Sequence, residues 1–96
     1  MHKQGQIVLI PVPFSDLTST KKRPVLIISN DEFNARGEDV IVAAITSNIR
    51  GFDHEIVFDN NDMTNGELKA VSCIRADKIY TLSKEIIVKT YGEIKI

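Results

Sequence analysis

The sequence predicts a mainly β protein, folded as one small, closed or nearly closed barrel. Three observations predict it. Roughly six or seven short strand-like segments recur at intervals of about ten residues, with little helix between them. Several of these segments are dense in Val and Ile, side chains that fit a pleated, buried surface. The gaps between them are too short for the helical crossovers that parallel strands require.

In chain order, Ile7-Val8-Leu9-Ile10 is a short apolar strand followed by Pro11 and Pro13, which end a strand or confine it to a sheet edge. Residues 15–22 form a polar loop rich in turn formers. Pro24 to Ser29 is a strongly β-branched run and reads as a buried strand. Asn30-Asp31 offers a helix N-cap, with one helical turn over Glu32 to Arg36 before Gly37 stops it. Asp39 to Ile45 is a second buried strand, Thr46 to Gly51 a loop, and Glu55 to Phe58 a short strand. Asp59-Asn60-Asn61-Asp62 and Asn65-Gly66 are turn chemistry. Further strands are expected at Leu68 to Ile74, Lys78 to Leu82 and Ile86 to Tyr91.

Ninety-six residues suffice for a single domain spanning residues 1–96 and leave no room for a second core. The apolar fraction of 43% and charged fraction of 26% are those of a soluble globular protein. No apolar run approaches the ~18 residues of a membrane helix, and residues 1–6 lead into a strand without a secretory signal's apolar stretch. The lone Cys73 cannot form an internal bridge; it suits a reducing cytoplasm and sits in an apolar alternation that reads as core. The net charge of −1 gives no overall attraction for nucleic acid. An RNA ligand would need a local basic groove, drawn from Lys21-Lys22-Arg23, Arg36, Arg50 and Arg75, which are otherwise solvated surface charges.

There is no Gly-rich phosphate loop and no pairing of Cys or His at metal-ligand spacing. No cofactor is implied. His54 reads as a partly exposed strand-entry residue, and Asp59 to Asp62 lacks the spacing and terminal Glu of a calcium loop. What remains are polar residues where buried strands meet loops. Arg23 precedes Pro24, Thr46 and Ser47 follow a buried strand, and Arg75-Ala76-Asp77 interrupts two apolar runs with Arg and Asp on one side of an extended chain. Two guanidiniums, a hydroxyl and a carboxylate suit a phosphodiester, since arginine binds phosphate in bidentate fashion and a carboxylate can act as general base. An Arg–Asp pair at such a junction also serves as a purely structural ion pair.

Gly5 to Leu9, Lys22 to Ile28, Val42 to Ser47 and Ile74 to Ile79, in this order and spacing, resemble the MazF/PemK (Kid) toxin family, and the blocks cover nearly the whole chain. Asn34 also falls where the family often has Asn. The resemblance implies an SH3-like barrel that forms a homodimer, is neutralised by a cognate antitoxin, and cleaves single-stranded RNA without a metal by attack of the 2′-hydroxyl. It implies catalytic roles for Arg23 and Thr46, and for Arg75 and Asp77 as the Arg-x-Asp pair of Kid-like members. Arginine stays protonated, so Asp77 is the better proton acceptor among them. Reading of the RNA would fall to the loops 14–22 and 49–54, with Lys21, Lys22, Ser47 and Arg50 as polar contacts and Phe14 and Phe52 as stacking platforms. Both rings read equally well as anchors that hold their loops against the core. The loop after the first strand lacks the His that Kid-like members can place there, leaving Lys21 or Lys22 to replace it. The chain ends about where the family continues into a C-terminal helix, so that helix is expected to be absent or truncated. Two alternatives stay open: a CcdB-like toxin acting on gyrase through protein contacts, and a degenerate barrel binding RNA or protein.

Overall fold

A computed structural model describes residues 2–11 and 21–95. Phe14 and most of the first expected recognition loop lie outside the described residues. Among the described residues, seven strands, β1 (Gln6–Pro11), β2 (Lys22–Ile27), β3 (Asp39–Thr46), β4 (Glu55–Phe58), β5 (Met63–Asn65), β6 (Ser72–Ser83) and β7 (Lys89–Ile94), and one α-helix, α1 (Asp31–Arg36), follow one another. The strands form one antiparallel sheet in the order β4-β6-β3-β2-β1-β7-β5, curled as a half-barrel. The mainly β barrel with a short helical turn that the sequence predicts is therefore what is found.

Each face of the curled sheet carries a buried cluster. Pairing sets Ile7 opposite Leu26 and Ile45 opposite Ile74, and these residues pack with Phe58 and Met63 on one face. The alternate residues Val8, Ile10, Val25, Ile27 and Val42 pack with Val40 and Leu82 on the other. Period-two alternation of apolar residues on both faces explains why the central strands read as unbroken Val/Ile runs.

Pro11 ends β1 rather than confining it to an edge, because β1 lies inside the sheet between β2 and β7. The proline costs no ladder bond to β7, whose pairing with β1 stops at Leu9. Asn30 caps α1, accepting from Phe33 N at 2.8 Å. Asn34, fully buried, donates to the carbonyl of Ser29 at 3.1 Å and accepts from its hydroxyl, while Ser29 Oγ accepts from Ile41 N at 3.0 Å. This network fastens the helix to β3.

Three expectations about strands need correction. The segments 68–74 and 78–82 are not separate strands: β6 runs unbroken from Ser72 to Ser83. Leu68 stays outside it, its backbone held by Asn60, whose side chain accepts from Leu68 N at 2.7 Å and donates to Leu68 O at 3.3 Å. Arg75-Ala76-Asp77 marks an irregularity inside the strand. The β3–β6 register passes from Ala43↔Ile79 to Ala44↔Arg75, leaving Ala76, Asp77 and Lys78 outside that ladder. The last strand begins at Lys89, since Ser83 caps a 3-10 turn over Lys84–Ile86. The short β5 has no apolar alternation to announce it; Gly66 (φ +80°) and Gly92 let it approach β7, where an added Cβ would lie 2.7 and 2.8 Å from backbone oxygens. The carboxylates of Asp59 and Asp62 accept backbone amides and close a 3-10 turn, as turn chemistry predicts.

Replacing Asn34 by Ala leaves the Ser29 hydroxyl and carbonyl without their partner, and should cost about 1–3 kcal/mol in urea unfolding. An unchanged midpoint would show that this network adds no stability.

Candidate active site

β2, β3 and β6 each bring one polar side chain to the same face at the same end of the sheet. Val25 lies opposite Ala44, so Arg23, two residues before Val25, and Thr46, two after Ala44, share its face. Ala44 in turn opposes Arg75 and Thr46 opposes Cys73, which makes Arg75 the diagonal neighbour of Thr46. Arg23, Thr46 and Ser47 line two adjoining open depressions of about 340 and 500 Å³. Lys22 lines the first with Tyr91 behind it, and Tyr80 lines the second. Thr46 Oγ1 accepts from Asn48 N at 3.1 Å, turning the chain out of β3.

Arg75 and Asp77 stand beside these depressions rather than in their walls. Arg75 donates through Nε and a terminal nitrogen to the two oxygens of Asp77, at 3.1 and 2.7 Å. The Arg75 side chain is 18% exposed and that of Asp77 35%. The guanidinium bond holds the Asp77 carboxyl below the usual carboxylate range, and Asp77 in turn raises Arg75. Asp77 has a second neighbour, His54, whose Nε2 lies 3.4 Å from Asp77 Oδ1. Nothing in the local sequence marks His54; it arrives there because β4 pairs with β6, with Glu55 opposite Arg75 and Ala76 N donating to His54 O at 3.2 Å.

Glu55 was also missed. One carboxylate oxygen accepts three consecutive backbone amides, from Arg50 at 3.0 Å, Gly51 at 2.8 Å and Phe52 at 3.1 Å, an arrangement opened by the left-handed Gly51 (φ +82°). Burial pushes this carboxyl up, but the amide bonds and nearby His54 outweigh it and hold it low. Glu55 thereby fixes the loop that carries Arg50 and Phe52. Phe52 is half exposed, one ring face stacked on His54. Cys73 is fully buried between these strands, its thiol pushed up by burial, as its core placement predicts. Of the remaining basic candidates, Lys21 is exposed at the entry to β2, and Arg36 pairs with Glu32 on α1.

Among the described residues no helix is long and apolar enough to cross a membrane. No curated protein matches the sequence. Solved structures do. An endoribonuclease in complex with its cognate antitoxin, from a mycobacterial species, superposes with a TM-score of 0.79 at 22% identity, covering 99% of this chain and 81% of that one. A mycobacterial endoribonuclease gives 0.76 at 24% identity, covering 98% and 76%. A MazE–MazF structure from Deinococcus radiodurans gives 0.70 at 17% identity, covering 97% and 79%. At such identities these likenesses establish the fold. The sequence itself matches the family model over residues 3–96, and the chain belongs to the PemK-like, MazF-like toxins of type II toxin–antitoxin systems.

Proposed function

We propose that this protein is a cytoplasmic, sequence-selective endoribonuclease toxin that cuts single-stranded RNA without a metal. The observation that carries this reading is the meeting of Arg23 and Thr46 on shared depressions, with the Arg75–Asp77 fork diagonal to Thr46 on the same face. Family membership and the endoribonucleases among its structural neighbours support it. The gyrase-directed alternative has no such support.

The chemistry follows from the donors. The 2′-hydroxyl attacks the adjacent phosphorus, the bond to the 5′-oxygen breaks, and a cyclic phosphate and a 5′-hydroxyl result. Negative charge grows on the non-bridging oxygens, where Arg23 and Thr46 donate hydrogen bonds; two guanidiniums supply the positive charge a metal would otherwise bring. Arg75 hydrogen-bonds toward the departing oxygen, and Asp77 holds that guanidinium in place and adds a fixed negative charge beside the attacking hydroxyl. A 2′-hydroxyl nucleophile restricts the substrate to RNA, and single strands offer unstacked bases to the loops. Lys21, Lys22 and Ser47 hold the backbone, while Arg50 and the open face of Phe52 meet bases; the stacking role expected of Phe14 lies outside the described residues.

The cognate antitoxin is expected to be acidic and partly disordered, folding as it covers this basic rim. We assign a homodimer as the working form of this single-domain toxin. Ile56 and Val57, each 55% exposed on the edge strand β4, supply apolar surface suited to self-association.

Three outcomes test this reading. Mixed-sequence RNA incubated with the protein in EDTA should be cut at a recurring short sequence, and Arg23→Ala should lower kcat on the order of a hundredfold or more; intact RNA at high enzyme concentration defeats the nuclease reading. Glu55→Ala should raise KM roughly tenfold and expose the amides of residues 50–52 to hydrogen exchange, with Glu55→Gln milder because it keeps an acceptor. Equal kinetics in both variants would separate this loop from substrate binding. Sedimentation at micromolar concentration should give twice the chain mass, and a monomer there counts against the dimer.

A further inference from the structure

Attack by a 2′-hydroxyl needs a proton acceptor at neutral pH, and the guanidiniums cannot be one. Asp77 is poorly suited to work alone: both its oxygens already accept from Arg75. That hydrogen bond also holds its carboxyl low. The side chain next to it is better matched. His54 places Nε2 at 3.4 Å from Asp77 Oδ1, and its side chain is 40% exposed, open to a substrate. Its ring stacks on Phe52, with centroids 5.5 Å apart and planes inclined by 16°. Imidazole is the side chain whose charge ordinarily changes between pH 5 and 8. A carboxylate at one ring nitrogen fixes the tautomer, leaves the lone pair on the other, and stabilises the imidazolium once a proton arrives.

Resting on the endoribonuclease reading above, we infer that His54 is a catalytic residue, the general base for the 2′-hydroxyl, with Asp77 as its positioning residue. Nε2 is the ring nitrogen nearest Asp77, at 3.4 Å, and we assign Nδ1 to take the hydroxyl proton as the new bond from the 2′-oxygen to phosphorus forms. The bond from phosphorus to the 5′-oxygen breaks; that oxygen leaves with the electron pair, hydrogen-bonded by Arg75, and takes a proton from water. The imidazolium then returns its proton to solvent. Among the described residues, Asp77 from β6, with Arg75 bonded to it, and Glu55 from β4 are the charged groups beside His54; Asp53 is its neighbour in the chain.

The test is the pH dependence of cleavage of a single-stranded RNA in EDTA by wild type, His54→Ala and His54→Phe. The phenylalanine keeps an aromatic ring to stack on Phe52 and lacks titratable nitrogens. Both variants should lose on the order of a hundredfold in kcat with KM within about threefold, and should lose the acid limb of the rate profile. Circular dichroism checks that each is folded. A kcat within about threefold of wild type, an acid limb that persists, or an active phenylalanine variant would each place the base elsewhere while leaving the nuclease reading intact. Wild type that leaves RNA uncut removes both.

Discussion

The candidate site depends on a slip in the ladder between β3 and β6. Had the pairing continued evenly from Ala43↔Ile79, Asp77 would oppose Ile45, on the face that buries Ile7, Phe58 and Met63. There the Arg75–Asp77 pair would lie against apolar side chains and lose hydration. The slip instead puts Arg75 opposite Ala44, on the face of Thr46, and leaves Asp77 outside the ladder beside it. Irregular pairing next to a site re-aims side chains that regular alternation would send inward. The three polar strand ends share a rim because of this one displacement.

Charge follows the same geometry. The chain is nearly neutral overall, with a net charge of −1, so attraction for a polyanion must be local. Lys22, Arg23 and Arg75 gather at this end of the sheet, while the carboxylates there are already engaged. Asp77 is held by Arg75, and one oxygen of Glu55 accepts three loop amides. The amide donors stabilise the Glu55 carboxylate and order the loop without cancelling its charge, and the linings of the depressions that Arg23 and Thr46 share include neither Glu55 nor Asp77.

Much of this was legible in the sequence, and the remainder fails for a common reason. The runs at Ile7 to Ile10, Val25 to Ile28 and Val40 to Ile45 announce buried strands through local composition, and Asn30 announces its helix through cap chemistry. Arg23, Thr46, Arg75 and Asp77 stand out because each adjoins such a run, and family resemblance ties them together. His54 and Glu55 have no local signal. Their meaning comes from β4 lying against β6, a pairing between segments some twenty residues apart that period-two patterns do not specify. The continuity of β6 through Arg75 to Asp77 was hidden likewise, since polar residues inside a strand read as a break unless the neighbouring strand is known to accept their backbone. β5 was missed because three residues with no alternation are defined only by their partner β7.

Asp77 shows why the site contains more than its two arginines. A carboxylate clamped by a guanidinium is ionised more firmly and is, by that amount, a weaker base. The stability gained from that pairing is present at neutral pH and above, and is lost as pH falls through the depressed folded value. The same firm negative charge is what an imidazole needs beside it to accept a proton and hold it. Arg75 thus removes Asp77 from direct proton transfer and fits it to support His54. A site built from arginines and a carboxylate can bind and polarise a phosphodiester; with the imidazole beside that carboxylate it also has somewhere to put the proton.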